Sequence, residues 1–275
     1  MPEPLSSLRE ELAIANRILA HEGVLDAFGH VSVRHPGDPN RYLLSRSRGP
    51  ELVEAEDILE FTLDSQPLKP PTKRLYGERV IHGEIYKARP DVQAVVHHHA
   101  PAIMPYCVSG VELTPVFHLG ATMGPKVPFW DSRDDFGDTS LLVIKPEEGA
   151  SLARALGEYW TVLMRRHGAT VAGRNLHEVV FRSIYGCRSA EFQSAAHALG
   201  HVGALSPGER EMAASYNLDP GPVERAWEYW AVRLAKREGR AFGDAKLPRA
   251  AAPAKKTAAR TAAPKTKAKA KRGRK

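Results

Sequence analysis

The chain has 275 residues, 43% of them hydrophobic and 26% charged, which is enough for one large domain or two small ones with a substantial core. Its formal net charge of +7 comes from the C-terminus, because residues 246–275 hold twelve Lys or Arg and no acidic residue, whereas the remainder holds 27 basic and 32 acidic residues. Two cysteines without CxxC spacing exclude a disulfide framework and a thiolate zinc site, and the lack of a signal sequence or a long apolar stretch predicts a cytoplasmic protein without a membrane span.

The N-terminal region predicts a helix followed by a hairpin. Ser7 with Glu10 indicates a capping box at the start of the helix, and Gly23 ends it. Residues 28–34 alternate between apolar and polar as a strand does, and a proline-rich turn connects them to a second strand over 42–44. We therefore expect these two strands to pair in an antiparallel hairpin.

The loop over 45–50 that follows the hairpin contains Arg46 and Arg48. A guanidinium group holds a carboxylate with paired hydrogen bonds, so two arginines here suit an anionic ligand. Simple solvation of both side chains is the alternative. A third strand is predicted over 58–63 because its residues alternate.

The run over 91–101 is the central feature of the sequence, and a helix over 78–88 precedes it. Side chains of a strand alternate between its faces, which places His97 and His99 together on one face. The opposite face is predicted to carry Val92, Ala94, Val96 and His98. Two imidazoles on one face can reach a single zinc or manganese ion. Three adjacent histidines could also be a surface accident, but the apolar residues before them predict burial.

Further elements follow in a regular order. The pattern predicts a strand over 111–118, a strand over 141–144, a helix over 147–159, a strand over 162–164 and a strand around 171–172. His167 with Gly168 forms a turn, where glycine permits the bend that would face a histidine inward. Asn175 begins a long helix to about residue 200, and another helix covers 220–236.

The segment from residue 245 onward is built almost entirely of Ala, Lys, Pro, Arg and Thr. A segment with so little apolar bulk cannot bury a core, so we expect it to be disordered. Basic tails of this kind bind nucleic acid through phosphates without reading sequence, and non-specific nucleic-acid contact is one prediction. A solvated tail without a partner is equally consistent with this composition.

Three separated motifs together resemble the class II aldolase/adducin family: Glu78, the run that ends in His97-His-His99-Ala-Pro, and Arg-Arg-His167-Gly-Ala. The likeness extends from about the first helix to about residue 200. It implies a three-layer α/β/α sandwich with a mainly antiparallel central sheet, in a catalytic domain over 1–244 with the tail over 245–275 outside it. It also implies a homotetramer with active sites near subunit contacts.

The resemblance assigns roles to four residues. It implies that His97, His99 and His167 hold one divalent ion per chain, Zn2+ or Mn2+, and that Glu78 is the acid/base residue. The implied activity is that of a metal-dependent carbon–carbon lyase, an aldolase or a decarboxylase, which acts through a metal-stabilised enolate.

Two positions depart from the sugar-phosphate aldolases of this family. Those enzymes use a Gly-Asn pair and a Ser-Ser pair to bind phosphate, where this chain has Gly29-His30 and Tyr76-Gly77. The departures favour a non-phosphorylated hydroxy- or oxo-carboxylate, including hydroxylated aromatic acids, as the small-molecule substrate. His30, Arg46 and Arg48 are then the candidate substrate-binding residues, although His30 could instead be a hydrogen-bonded core residue.

Two other functions remain open at this point. A sugar-phosphate aldolase or epimerase of the same family would use the same metal ligands. A non-catalytic scaffold of the adducin type would keep the fold without the ligands, and all four key residues are present here. Nucleic-acid contact through the tail could coexist with either function.

Overall fold

The computed structural model describes residues 5–239. The strands are β1 His30–Arg34, β2 Arg41–Ser45, β3 Ile58–Thr62, β4 Ala94–His98, β5 Phe129–Trp130, β6 Thr161–Met164 and β7 Gly168–Gly173. The α-helices are α1 Leu5–His21, α2 Arg79–Ala88, α3 Met104–Ser109, α4 Arg133–Phe136, α5 Pro146–Leu156, α6 Leu176–Leu199, α7 Pro207–Asn217 and α8 Pro220–Arg237. The predicted basic tail and the predicted domain boundary at residue 244 lie outside the described residues.

The seven strands form one open sheet in the order β3-β2-β1-β4-β7-β6-β5. Neighbouring strands are antiparallel except for β5 and β6, which are parallel. The predicted hairpin is confirmed, with Ser32 of β1 opposite Leu44 of β2. Because β4 lies between β1 and β7, His30, His97 and Thr170 stand in one row across the middle of the sheet.

Alternation along the strands divides the core into two layers. Val96 of β4 packs in a cluster with apolar residues of α1, α6 and α8. Val95, on the opposite face of the strand, packs in a second cluster with residues of α2 and α5. The predicted three-layer α/β/α sandwich is therefore confirmed, and His97 has the parity that faces α2. No helix within residues 5–239 combines the length and the apolar character that a membrane span requires.

Two of the predicted strands are wrong. Residues 111–118 contain no strand, and Val111 is half exposed. Residues 141–144 form a loop in which Leu141 has a φ of 68°, a left-handed conformation that a strand does not contain. The backbone N–H groups of Val143 and Ile144 donate to the carboxylates of Glu78 and Glu148 instead of to a neighbouring strand.

Smaller differences concern the ends of elements. Ser7 lies inside helix α1, which covers Leu5–His21, so the predicted capping box does not mark the start of the helix. Val92 precedes β4 and packs in the cluster of α2 and α5, not on the face of Val96. Helix α7 was not predicted, although Ser206 and Glu209 form a reciprocal capping box at its start.

A buried ion cluster ties three helices together on the α1 side of the sheet. Nε2 of His177 in α6 is 2.6 Å from Oε1 of Glu11 in α1, and its Nδ1 is 2.8 Å from Oε1 of Glu224 in α8. The His177 ring also stacks on Trp227 with 3.9 Å between ring centroids. Burial alone disfavours the charged ring, but hydrogen bonds to the two carboxylates outweigh it and raise the pKa of His177 to about 9.

We expect this cluster to make the free energy of unfolding depend on pH. Because the folded pKa lies above the unfolded value of about 6.5, the stabilisation is complete below about pH 6.5 and is lost as the pH rises through about 9. A shift of this size corresponds to at most about 3 kcal/mol. Urea denaturation between about pH 6 and pH 10 should show that the free energy of unfolding of wild type declines as the pH rises. His177→Gln should remove this decline, and His201→Gln, a control at an exposed site, should retain it. An unchanged decline in His177→Gln would contradict this account.

Candidate functional site

Four side chains from three segments of the chain converge at the end of β4. Glu78 directly precedes α2, His97 and His99 lie at the end of β4, and His167 lies in the turn between β6 and β7. One ligand atom from each residue, a carboxylate oxygen or a ring nitrogen, lies within 4.8 Å of the other three. The Nε2 atoms of His97 and His99 are 3.1 Å apart. Glu78 Oε1 lies 3.4 Å from His167 Nε2, and its Oε2 lies 3.7 Å from His97 Nε2.

This donor set fits a divalent cation. Two nitrogens at roughly 2.1 Å from a tetrahedral zinc ion lie about 3.4 Å apart, close to the spacing found here. Both ring nitrogens of His167 are buried without a well-formed hydrogen bond within residues 5–239, and the nearest group to Nε2 is the Glu78 carboxylate at 3.4 Å. Orphaned buried nitrogens are unfavourable, and a metal bond would satisfy one of them. Nδ1 of His97 lies 3.3 Å from Thr170 Oγ1, which leaves its Nε2 directed at the other three ligands.

The protonation states also suit a cation. Burial lowers the pKa of His97 well below its ordinary value and lowers the pKa of His99 as well. Burial alone would raise the pKa of Glu78, but interactions with His167 and His30 outweigh it and the pKa lies below its usual value. His97 and His99 are therefore neutral imidazoles and Glu78 is an ionised carboxylate, the states in which these groups bind metal.

The loop wrongly predicted as a strand holds Glu78 in place. The Val143 N–H donates to Glu78 Oε1 at 3.0 Å. Glu148 Oε2, in the first turn of α5, accepts from the N–H groups of Ile144 at 2.9 Å and Lys145 at 3.0 Å. Helix α5 thus fixes the loop, and the loop fixes the Glu78 carboxylate.

The turn that carries His167 depends on a close approach of Gly168 to β4. A Cβ atom added to Gly168 would lie 2.2 Å from the carbonyl oxygen of His98, which is backbone and cannot move aside easily. Glycine is required here because the two chains come closer than any side chain allows.

We expect Gly168→Ala to lower the free energy of unfolding by roughly 3 kcal/mol, since relief of the clash would displace β7 from β4. The matched control is Gly208→Ala in α7, where an added Cβ meets nothing within 4 Å. That control should be neutral or slightly stabilising. Urea denaturation of both variants compares them, and equal stability would show that the close approach is absent.

His30 lies beside the cluster and is also a buried, hydrogen-bonded residue. Its ring centroid is 5.3 Å from that of His97 and 4.6 Å from that of Tyr76. Its Nδ1 is 2.6 Å from Nε2 of His82. Burial lowers the pKa of His30 to about 4, although the charge of Glu78 opposes this. The structure therefore shows His30 as a buried, hydrogen-bonded residue, and its contact with substrate stays a prediction.

Arg46 and Arg48 are not part of the four-residue cluster. Arg46 Nε and Arg48 Nη1 each lie 2.6 Å from one carboxylate oxygen of Asp57, so their charges are engaged by a single acidic side chain. The Tyr76 hydroxyl hydrogen-bonds to the backbone of Arg48, and the Tyr76 ring contacts His30. The arginine loop is therefore joined to the His30 side of the cluster through Tyr76.

Several residues around the cluster were not predicted from the sequence. His82 and Tyr86 of α2 pack against β1. Their spacing in the sequence could have indicated that they lie near Glu78. Glu78, His82 and Tyr86 follow each other at intervals of four residues, which places them on one face of a helix. Thr170 and the Val143 N–H had no comparable signal, because their roles depend on how distant segments pack.

Comparison with known proteins gives consistent sequence matches. The profile of the family described as Class II Aldolase and Adducin N-terminal domain matches residues 10–194. The chain is 37% identical over 237 residues to Decarboxylase tropJ from Talaromyces stipitatus, covering 78% of this chain and 88% of that protein. It is 32% identical over 188 residues to a 3,4-dihydroxyphthalate decarboxylase from Arthrobacter keyseri, covering 64% of this chain and 73% of that protein.

Solved structures share the fold. An L-fuculose 1-phosphate aldolase from Glaciozyma antarctica superposes with a TM-score of 0.71 at 20% identity, covering 85% of this chain and 90% of that chain. An aldolase II superfamily protein from Pseudomonas syringae gives a TM-score of 0.71 at 21% identity, covering 86% and 95%. These likenesses establish a class II aldolase fold.

Proposed function

The chain belongs to the class II aldolase and adducin family, and from this premise we propose that it is a metal-dependent lyase that decarboxylates a hydroxylated aromatic acid. The observation that carries the proposal is the convergence of Glu78 with three imidazoles, all with ligand atoms within 4.8 Å. Relatives named as decarboxylases support the reaction type, because they match this chain over most of its length.

His97, His99 and His167 would hold one divalent ion, Zn2+ or Mn2+. The bound ion would supply a sink for the electron pair that remains on carbon when the carbon–carbon bond breaks. Imidazole binds a metal as a neutral ligand, so three histidines would position the ion without cancelling its charge. Thr170 orients the His97 ring from behind, and the tight turn at Gly168 fixes the position of His167.

Glu78 would move the proton. Its lowered pKa means that it enters the reaction as a carboxylate, ready to accept a proton from a substrate hydroxyl. The bond between the ring carbon and the carboxyl carbon then breaks, CO2 leaves, and the electron pair stays on the ring. The proton carried by Glu78 forms the new C–H bond at that carbon. The Val143 N–H holds the carboxylate in place throughout.

Two features support a substrate without phosphate. The phosphate-binding pairs implied by the family resemblance are replaced by Gly29-His30 and Tyr76-Gly77, and the His30 and Tyr76 rings contact each other beside the cluster. Aromatic side chains suit a planar ring better than a phosphate group. Arg46 and Arg48, held on Asp57, stay predicted contacts for a substrate carboxylate.

The test is a screen for CO2 release by protein loaded with zinc or with manganese. The panel holds 3,4-dihydroxyphthalate and other hydroxylated aromatic acids, with L-fuculose 1-phosphate as the aldol substrate for comparison. We expect metal-dependent CO2 release from at least one acid and no cleavage of the sugar phosphate. Aldol cleavage without decarboxylation would replace this proposal with the sugar-phosphate alternative, which the fold likeness alone does not exclude. The homotetramer, the cytoplasmic setting and nucleic-acid contact through the basic tail stay predictions.

A further inference from the structure

His30 has two ring nitrogens, and only one of them is free to meet a substrate. We propose that a buried relay, formed by Tyr86, Ser32 and His82, fixes His30 in the tautomer that carries its hydrogen on Nε2. The ring then offers an N–H donor to an anionic oxygen of the substrate. The identity of that acceptor rests on the proposed function, whereas the tautomer follows from the hydrogen bonds of the relay.

Three short contacts connect the relay to His30. Nδ1 of His30 lies 2.6 Å from Nε2 of His82, and Nδ1 of His82 lies 2.6 Å from Ser32 Oγ. Ser32 Oγ lies 2.8 Å from the Tyr86 hydroxyl. All four side chains are at most 2% exposed, so water does not compete for these bonds. Each contact shares one hydrogen, which means that one partner donates and the other accepts.

The tyrosine sets the direction of the relay. Within residues 5–239, Ser32 is the one hydrogen-bond partner of the Tyr86 hydroxyl. A buried hydroxyl that donates to nothing costs about 1–3 kcal/mol, so Tyr86 donates to Ser32. Ser32 must then donate its own hydrogen to Nδ1 of His82. His82 carries its hydrogen on Nε2 and donates it to Nδ1 of His30, which leaves the His30 hydrogen on Nε2.

The opposite direction fails at its far end. If His30 donated from Nδ1, His82 would donate to Ser32 and Ser32 would donate to Tyr86. The Tyr86 hydrogen would then have no acceptor, because Ser32 is the one partner of that hydroxyl within residues 5–239. The neighbouring phenol, Tyr42, donates its hydroxyl to Ser65 at 2.9 Å and lies outside the relay. The structure therefore favours one tautomer for both histidines.

The tautomer defines what His30 can bind. An N–H at Nε2 cannot ligate a cation, so His30 is not a fourth imidazole ligand although its ring lies 5.3 Å from that of His97. An N–H can donate to a carboxylate or a phenolate oxygen, and such charge-assisted bonds are stronger than neutral ones. His30 thereby selects for an anionic oxygen next to Glu78.

The tautomer is measured in zinc-loaded, full-length protein with 15N-labelled histidine rings. Long-range 1H–15N spectra separate bare from protonated ring nitrogens, and the signals are assigned by their loss in His30→Gln and His82→Gln. We expect the hydrogen on Nε2 of both rings. A hydrogen on Nδ1 of either ring would overturn the proposal.

Two variants test whether the relay causes the tautomer. Ser32→Ala removes the donor to His82, so both tautomers of His30 should become populated. Tyr42→Phe removes a buried hydroxyl outside the relay, so its spectrum should be the same as that of wild type. A spectrum of folded Ser32→Ala identical to that of wild type would refute the role of the relay. If Ser32→Ala does not fold, the spectrum of the wild-type protein still decides the tautomer.

The role toward substrate is tested with 3,4-dihydroxyphthalate. His30→Gln keeps an N–H near the place of Nε2, so KM should stay within about threefold of wild type, whereas His30→Leu should raise KM roughly tenfold or more with a smaller change in kcat. Equal KM values for both variants would overturn the donor role. Absence of turnover in wild type would count against the proposed function, while the spectra would still decide the tautomer.

Discussion

Replacing Glu78 by Gln is expected to lower kcat by about 10²- to 10⁴-fold, the usual contribution of a positioned acid or base. The amide cannot accept and return a proton, although it still accepts the Val143 N–H that holds the carboxylate at 3.0 Å. The fold should therefore remain, with a free energy of unfolding close to that of wild type. The measurement is the rate of CO2 release at saturating substrate and metal.

The matched control for this variant lies in α2, the helix that Glu78 precedes. Glu84 is paired with Lys87 at 2.7 Å and is not part of the cluster, so Glu84→Gln should retain wild-type turnover. Equal turnover in Glu78→Gln and wild type would eliminate Glu78 as the acid/base residue. A protein in which none of these forms turns over any acid would instead point to the non-catalytic scaffold of the adducin type.

Replacing His99 by Asn is expected to abolish metal binding, with about one divalent ion per chain in wild type and less than roughly a tenth of that in the variant. Asparagine is too short to place a donor atom where His99 Nε2 lies, 3.1 Å from His97 Nε2. Loss of one of three protein ligands leaves an incomplete site. Elemental analysis after dialysis measures the content.

The neighbouring residue provides the same substitution on the other face of β4. His98 is buried and accepts the Ala100 N–H through Nδ1 at 3.3 Å. Asparagine can supply an acceptor at that place, so His98→Asn should fold and keep its metal. Loss of metal in both variants would indicate a general disruption of β4, and retention in both would remove His99 from the ligand set.

The sequence predicted the elements whose patterns are local. Alternation located β1 and β3, and it placed His97 and His99 on the same face of β4 because the strand repeat is two residues. The Asn175 cap located the start of α6, where the side chain accepts the Glu178 N–H. Such features depend on a few residues that are neighbours along the chain, so the amino-acid sequence alone is enough to recognise them.

Other features depend on partners that are distant in the sequence. The apolar residues Leu141 to Ile144 resemble a buried strand, but their N–H groups are taken by Glu78 and Glu148 and the segment cannot pair with the sheet. The ion pairs of Arg46 and Arg48 with Asp57 could not be predicted from the sequence either. Only the family resemblance, not periodicity, connected Glu78 and His167 with the pair on β4.

The most direct test of the metal centre is the X-ray absorption spectrum of wild-type protein loaded with one equivalent of zinc. We expect three imidazole ligands together with oxygen ligands, because Cys107 and Cys187 are buried elsewhere and Glu78 lies beside the three histidines. Sulfur in the first coordination shell, fewer than three imidazoles, or zinc that is not retained would contradict this ligand set.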